Sequence, residues 1–238
     1  MDDIAIKLTG VSKKYILHHE KPTLVENIIK PRKNEEFWAL RDIDLAINKG
    51  DRVGVIGKNG SGKTTLLEII AGITTPTKGK VATQGRIVSH IELEAGFHPE
   101  LTGEENIHLN GMLVGMSKTE IDAKMKKIIS FADIGRFIDA PFYTYSEGMK
   151  MRLGFSVLVH ANPEIVLLDE NISVGDKEFS LKSYKKIQEF IDIGKTIIMV
   201  HHRMDIIKKM CKKIVWLEKG LIKKIGDVAI TGEYTRSS

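Results

Sequence analysis

The segment "GKNGSGKT", residues 57–64, decides the fold of this chain. It matches the phosphate-binding loop pattern G-x-x-x-x-G-K-[ST], and it lies between an apolar strand, residues 52–56, and an apolar helix that ends at Gly72. In such a loop the glycines let backbone N–H groups close around a β-phosphate, while the lysine reaches the β- and γ-oxygens and the hydroxyl ligates Mg²⁺. Lys63 and Thr64 are therefore predicted to bind a nucleoside triphosphate and its metal.

Two carboxylates follow the apolar run "IVLL", residues 165–168. The run predicts a buried strand, and the carboxyl ends of such strands are where an α/β sheet places its ligand site. There Asp169 would hold the Mg²⁺ shell. Glu170, one residue further along, would point towards a water that attacks the γ-phosphate, as its base or as its orienter. Because a phosphate loop lies upstream, we predict both roles.

A second apolar run, "IIMV" at residues 197–200, ends in two histidines, His201 and His202. A strand-end histidine beside a nucleotide can hydrogen-bond the γ-phosphate, although a lone histidine is more often a satisfied structural residue. The pair is not predicted to bind a metal, since no cysteine or third histidine has suitable spacing.

The segment "YTYSEGMKMRLGF", residues 143–155, has two interpretations. In the first, Ser146 caps an ordinary helix, Gly148 is incidental, and the apolar residues are core. In the second, Ser146 and Gly148 leave a helix N-terminus open to an anion, so that the segment is half of an active site. The stretch alone favours the ordinary cap, and the rest of the chain has to decide.

The composition indicates a folded protein without a membrane span. The 238 residues are 42% hydrophobic and 28% charged, and no apolar run approaches the ~20 residues that cross a bilayer. The start, "MDDIAIKLTG", has acids where a signal peptide has basic residues, so we expect a cytoplasmic protein. The single cysteine, Cys211, excludes an intramolecular disulfide framework and is expected in the core. The net charge of +5 comes from scattered basic residues, so specific nucleic-acid binding is not expected.

Apolar strands alternate with helices along the chain, which predicts a parallel sheet covered on both faces. Helices are expected over residues 177–192 and from Met204, and three consecutive helices between residues 94 and 161 interrupt the βα pattern. One of the three is predicted to begin after Ser117 as its cap, with Glu120 three residues later. The segment 22–30, "PTLVENIIK", is amphipathic with basic flanks, so it lies either at a membrane surface or against the protein's own core. The tail "TGEYTRSS" is polar and is expected to fray.

Four motifs in order make the chain recognisable: "GKNGSGKT", "YSEGM", "IVLLDENISVGD" and "VHHRMD". With them, over about residues 4–226, the chain resembles the nucleotide-binding subunit of an ATP-binding cassette (ABC) transporter. Three segments, "GFHPELTGEENIHLNG", "YSEGMKMRLGFSV" and "SVGDKEF", are similar to the ATPases that export lipid-linked polysaccharides such as teichoic acid, O-antigen and capsule.

The resemblance implies an α/β fold: a P-loop NTPase (RecA-like) core with a parallel sheet, an N-terminal antiparallel β subdomain and an inserted α-helical subdomain. One ABC ATPase domain would then cover residues 1–238. Its expected parts are the catalytic core with the β subdomain (1–93 and 162–230), the helical subdomain (94–161) and a flexible tail (231–238).

The resemblance also implies how one chain binds ATP and Mg²⁺. Tyr15 would stack on adenine, with Trp38 as the alternative, and Thr64 and Asp169 would hold the metal. Lys63 would be catalytic as well as phosphate-binding. The phosphate-loop residues expected to contact ATP are Gly57, Asn59, Gly60, Ser61, Gly62, Lys63, Thr64 and Thr65.

Other roles that the resemblance implies involve hydrolysis and a second chain. Glu170 would be the catalytic carboxylate, and His202 the γ-phosphate sensor, because the family usually has V-S-H and His201 then replaces the serine. In a head-to-tail homodimer, Ser146 and Gly148 would contact ATP bound to the other chain, and Asp176 would face the other chain's site.

Two departures from the family pattern stand out. The signature, usually L-S-G-G-Q and commonly Y-S-S-G-M in the polysaccharide branch, carries Glu147 at its third position. Its carboxylate either faces solvent or repels the γ-phosphate of the opposite subunit. The glutamine expected near Leu93 or Glu94, which helps to bind Mg²⁺ in relatives, is missing.

The implied partners are a separate integral-membrane permease, a second copy of the chain and a lipid-linked glycan as cargo, at the cytoplasmic face of the membrane. The helical insertion and the segment 22–30 are the expected membrane-side contacts, and no nucleic acid is expected. Two alternatives stay open: the ATPase of a small-solute importer, and an ABC ATPase that acts on nucleic acid.

Overall fold

A computed structural model describes residues 3–17, 35–89, 96–169 and 177–237. Several predicted features lie outside these residues: Glu170, Asp176, the positions Leu93 and Glu94, and the amphipathic segment 22–30. Within the described ranges the chain forms nine strands and seven helices.

The strands are β1 (Ile4–Leu17), β2 (Glu35–Asn48), β3 (Arg52–Ile56), β4 (Lys78–Thr83), β5 (Ile87–Ser89), β6 (Ile165–Leu168), β7 (Thr196–Val200), β8 (Lys213–Glu218) and β9 (Leu221–Asp227). The helices are α1 (Lys63–Ala71), α2 (Gly103–Leu113), α3 (Lys118–Ala132), α4 (Glu147–His160), α5 (Lys177–Asp192), α6 (Met204–Met210) and α7 (Ile230–Ser237). Two short 3₁₀ turns, Gly135–Asp139 and Phe142–Thr144, precede α4.

A three-stranded antiparallel sheet, ordered β2-β1-β4, forms the predicted β subdomain. Burial alternates along β2, where Ile43, Leu45 and Ile47 are buried and the residues between them are exposed. This period of two places one face of the sheet on the core. The core beneath it also contains the apolar face of α1.

A six-stranded sheet, ordered β5-β6-β7-β3-β8-β9, forms the centre of the molecule. Its first five strands are parallel, and β9 returns antiparallel to β8. Every residue of β6 and β7 is buried, as expected for strands covered on both faces. Because β3 and β6 are parallel strands of one sheet, the segments that follow them leave it at the same edge.

Three helices, α2, α3 and α4, form the inserted helical subdomain and share a core with one face of the large sheet. The predicted Ser117 cap is confirmed: its hydroxyl accepts from the Glu120 N–H, and the Glu120 carboxylate accepts from the Ser117 N–H. The same capping box starts α2 at Thr102 and Glu105. Each box satisfies donors that a helix N-terminus leaves without intrahelical acceptors.

The carboxyl-terminal residues differ from the flexible tail expected over 231–238. Residues 230–237 form α7, in which Ile230 and Thr231 are buried. The Tyr234 ring meets the Trp216 ring edge to face, with centroids 5.4 Å apart. The polar composition of the segment did not predict this helix, because the helix packs against apolar residues that lie earlier in the chain.

Candidate active site

The phosphate loop fits tightly against backbone from two other elements. A Cβ added at Gly57 would collide with the Leu217 carbonyl oxygen of β8, and one added at Gly62 would lie 2.5 Å from the Ala39 carbonyl oxygen of β2. Gly62 also has a φ of 101°, which side-chain-bearing residues rarely adopt. Gly62 lies directly before α1, so the loop leads into a helix N-terminus, where backbone N–H groups and the helix dipole favour anions.

A cleft of about 360 Å³ opens beside this loop at the carboxyl edge of the large sheet. It brings together the loop, the first turn of α1, the end of β6 and part of β2. The residues that line it are Phe37, Ala39, Asn59, Gly60, Gly62, Lys63, Thr64, Thr65, Asp169 and Val200. Most of the sequence-predicted phosphate and metal residues therefore meet in one cavity.

Lys63, Thr64 and Asp169 place one cation and two oxygen ligands in this cleft. Lys63 Nζ donates to the carbonyl oxygens of Gly57, at 2.8 Å, and Lys58, at 3.0 Å, so its ammonium lies over the loop. Thr64 and Asp169 suit Mg²⁺, which keeps several waters and takes few protein ligands beside phosphate oxygens. In the described part of the chain no group of three His, Cys, Asp or Glu residues is arranged to hold a metal ion by itself.

The aromatic residues near the cleft differ from the expectation. Tyr15 is 36% exposed and does not line the cleft, whereas its cross-strand partner Phe37, 47% exposed, does. Directly opposed residues of an antiparallel pair lie on one face of the sheet, so Tyr15 and Phe37 are neighbours. Trp38 lies on the other face, with the ammonium groups of Lys14 and Lys78 5.7 and 5.8 Å from its ring. Of these three aromatic residues, Phe37, which was not predicted from the sequence, is therefore the one that lines the cleft.

Ser61 faces a different cavity, behind the phosphate loop. This cavity, about 410 Å³, is lined by Lys58, Ser61, Trp216 and Tyr234 among others, and Asn59 and Gly60 border both cavities. The β8–β9 turn supports the loop from this side, since the Gly220 N–H donates to the Ser61 carbonyl oxygen at 3.1 Å.

The two histidines occupy different environments. His201 is buried, and its Nδ1 accepts from the Arg203 N–H at 3.0 Å. His202 is exposed, with its ring centroid 4.9 Å from that of His201. Neither lines the cleft, although Val200, the last residue of β7, does. The pair thus follows a strand that ends at the cleft, and His202 is the more accessible ring.

The segment that begins α4 presents an open helix N-terminus. The Ser146 hydroxyl caps α4 by accepting from the Met149 N–H at 3.3 Å. A Cβ added at Gly148 would find its nearest neighbour, Ser146 Oγ, 3.9 Å away. Neither residue lines the cleft of its own chain. Nothing described within the chain therefore requires a glycine at this position.

The residues around this helix start are held in different ways. Tyr145 is buried and donates its hydroxyl to the Phe137 carbonyl oxygen at 2.6 Å, and burial, with the nearby Asp139 carboxylate, raises the pKa of the phenol to about 12. Glu147, by contrast, is exposed and pairs with Lys150 at 2.8 Å. Tyr145 anchors the segment, and the charged pair lies on its surface.

A family model described as "ABC transporter" matches residues 40–173. The O-antigen export system ATP-binding protein RfbB of Klebsiella pneumoniae is 41% identical over 228 residues, which are 93% of this chain and 93% of that protein. The teichoic acids export ATP-binding protein TagH of Listeria innocua serovar 6a is 43% identical over 227 residues, 94% of this chain and 68% of that protein.

A solved structure described as a dimeric, post-hydrolysis state of the ATP-binding cassette MJ0796, bound to ADP and Pi, has the same fold. Its TM-score is 0.73 at 23% identity, over 94% of this chain and 98% of that one. In the described residues, no helix is long and apolar enough to span a bilayer.

Proposed function

The chain belongs to the ABC transporter family, and we propose that it is the ATP-hydrolysing subunit of an exporter of lipid-linked cell-surface polysaccharide. The similarity to RfbB, over 93% of both chains, is the observation that carries this proposal. TagH, which is named for teichoic acid export, supports the same class of cargo. The lipid link of the cargo is proposed from the resemblance of the sequence motifs to ATPases that export lipid-linked polysaccharides.

The cleft supports ATP hydrolysis by positioning and charge stabilisation, which supply most of the catalysis in phosphoryl transfer. The loop N–H groups and Lys63 would hold the β- and γ-phosphates, and Thr64 and Asp169 would hold Mg²⁺, which when bound supplies positive charge to neutralise that of the phosphate oxygens. Glu170, which directly follows Asp169, is proposed to orient or deprotonate the attacking water, and His202 to contact the γ-phosphate.

Each ATP is proposed to lie between two chains. Glycine in a helix costs about 0.5–1 kcal/mol relative to alanine. At Gly148 this cost has no compensation within the described chain, because an alanine Cβ would fit in open space. A molecule that binds closely against the Ser146–Gly148 turn would explain the glycine. We propose that this molecule is the ATP bound to another copy of the chain, and that Asp176 faces that copy's site.

The membrane subunit is proposed to dock between the large sheet and the helical subdomain. A groove of about 310 Å³ lies there, lined in part by Val88 of β5, Leu113 of α2 and Val157 of α4. Leu113 and its neighbour Met112 are 65% and 54% exposed, although both are apolar. Exposed apolar residues beside a groove indicate a contact with another protein.

Surface polysaccharide in cells tests the proposal. Cells that lack the chain should lose surface polymer and retain the lipid-linked polymer inside. Wild-type chain should restore export, while the Lys63→Ala chain, expressed at the same level, should not. Unchanged surface polymer together with lost uptake of a small solute would contradict the proposal and favour an importer.

A further inference from the structure

Lys150 and Glu147 form an ion pair at the first turn of α4. Lys150 Nζ lies 2.8 Å from Glu147 Oε1, and the side chains are 23% and 72% exposed, respectively. Helical side chains point back towards the N-terminus, so the ammonium lies level with the start of the helix. The ammonium is 5.8 Å from the centroid of the Phe142 ring. A cation is therefore held beside the turn that contains Ser146 and Gly148.

Glu147 alone would oppose ATP at this turn. A carboxylate at the first turn of a helix is stabilised by the helix dipole, as a phosphate would be, and the two anions would repel each other. Lys150 neutralises the carboxylate, and because the carboxylate is largely exposed, the pair is weak enough to exchange partners. A triphosphate bound to Mg²⁺ still offers several charged oxygens to a lysine, more than the single carboxylate does.

We propose that Lys150 is a further active-site residue. In the separate chain its ammonium pairs with Glu147. When two chains close, the ammonium leaves Glu147 and pairs with the γ-phosphate of the ATP that is bound to the other chain. This inference rests on the proposed function, because it requires ATP at the α4 N-terminus. The open space at Gly148 is the independent observation that supports it, since among the described residues the nearest atom to an added Cβ is Ser146 Oγ, 3.9 Å away.

An ordinary surface pair is the competing explanation, and the chain contains a matched control. Lys186 and Glu189 form another lysine–glutamate pair three residues apart, on α5, at 2.7 Å and with side chains 28% and 49% exposed. Pairs of this kind contribute only a few tenths of a kcal/mol to a helix. If both pairs served only their helices, loss of either lysine would have the same small effect.

Steady-state ATPase rates of the full chain distinguish the explanations. Lys150→Met should lower kcat about 10- to 100-fold, the usual effect of losing a charge-assisted hydrogen bond in the transition state, whereas Lys186→Met should stay within about twofold of wild type. Lys150→Arg should recover most of the loss. Adding Glu147→Gln to Lys150→Met should also recover part of it, because no unpaired carboxylate then faces the phosphate.

A Lys150→Met chain that is folded and has a kcat within about twofold of wild type would overturn the inference. If Lys63→Ala and Ser146→Arg still abolish hydrolysis in that case, the proposed function stands and only the role of Lys150 falls. A wild-type chain without ATPase activity would overturn the proposed function and this inference with it.

Discussion

Gly148→Ala is expected to stabilise the separate chain while it lowers the rate of hydrolysis about 100-fold. Gly148 is the second residue of α4, and the nearest atom to an added Cβ would be 3.9 Å away, so the methyl group causes no collision. Alanine loses less conformational freedom than glycine on folding, which raises the free energy of unfolding by about 0.5–1 kcal/mol. For a chain of this size, 1 kcal/mol corresponds to a rise in Tm of roughly 2–4 °C.

The same methyl group should prevent the α4 N-terminus from closing on another chain's ATP. A displacement of about 1 Å at a reacting phosphate lowers the rate about 100-fold. Calorimetry would measure the stability, and phosphate release at saturating ATP would measure turnover. The expected result is a higher Tm together with a loss of kcat of about 100-fold.

Gly232→Ala is the matched control. Gly232 lies in α7, no atom of the described residues comes within 4 Å of an added Cβ, and no role in the site is proposed for it. It should raise stability similarly and leave turnover unchanged. A Gly148→Ala chain with wild-type turnover would refute the reasoning, because no second molecule would then bind against this turn. A lowered Tm would refute the claim that the space is open.

Three further expectations follow from the same structure. Phe37→Ala should raise the KM for ATP about 5- to 100-fold with little change in kcat, because the adenine base loses a stacking partner. Trp38→Ala, on the opposite face of the sheet, should not raise the KM. Equal effects of the two substitutions would contradict base stacking by Phe37. Burial raises the pKa of the Cys211 thiol to about 12, so a thiol reagent at pH 8 should label it only on unfolding. Rapid labelling of the folded chain would contradict its burial. Leu113→Asp should retain basal ATPase and lose co-purification with the membrane subunit, and retained co-purification would place that contact elsewhere.

Much of the fold could be predicted because its signals are local. The continuous apolar runs of β6 and β7 predicted strands buried on both faces, and the structure confirms a parallel sheet. Helix α5 covers residues 177–192, as its apolar period predicted, and the Ser117 cap is where the sequence placed it. Glycine, lysine and threonine at fixed spacing identified the phosphate loop for the same reason.

The features that sequence reasoning missed depend on long-range geometry. Phe37 lines the cleft because β1 and β2 pair with several register shifts. After such a shift, the alternation of apolar and polar residues in the sequence no longer predicts which face of the sheet a side chain lies on. Helix α7 is ordered through Trp216, a contact between distant parts of the chain. The Glu147–Lys150 pair has the spacing of an ordinary ion pair within a helix, but its proposed role depends on the molecule that binds at the start of that helix.

The central claim, that two chains share each ATP site, is tested most directly by mixing two inactive variants. Lys63→Ala removes the phosphate-loop lysine, and Ser146→Arg blocks the α4 N-terminus, so each homodimer has no intact site. A mixed dimer has one intact site, formed by the unmodified phosphate loop of one chain and the unmodified Ser146 turn of the other. An equal mixture should recover up to roughly a quarter of wild-type ATPase activity, as random pairing of two chains dictates. A mixture that contains mixed dimers and stays inactive, or either variant active alone, would contradict the account.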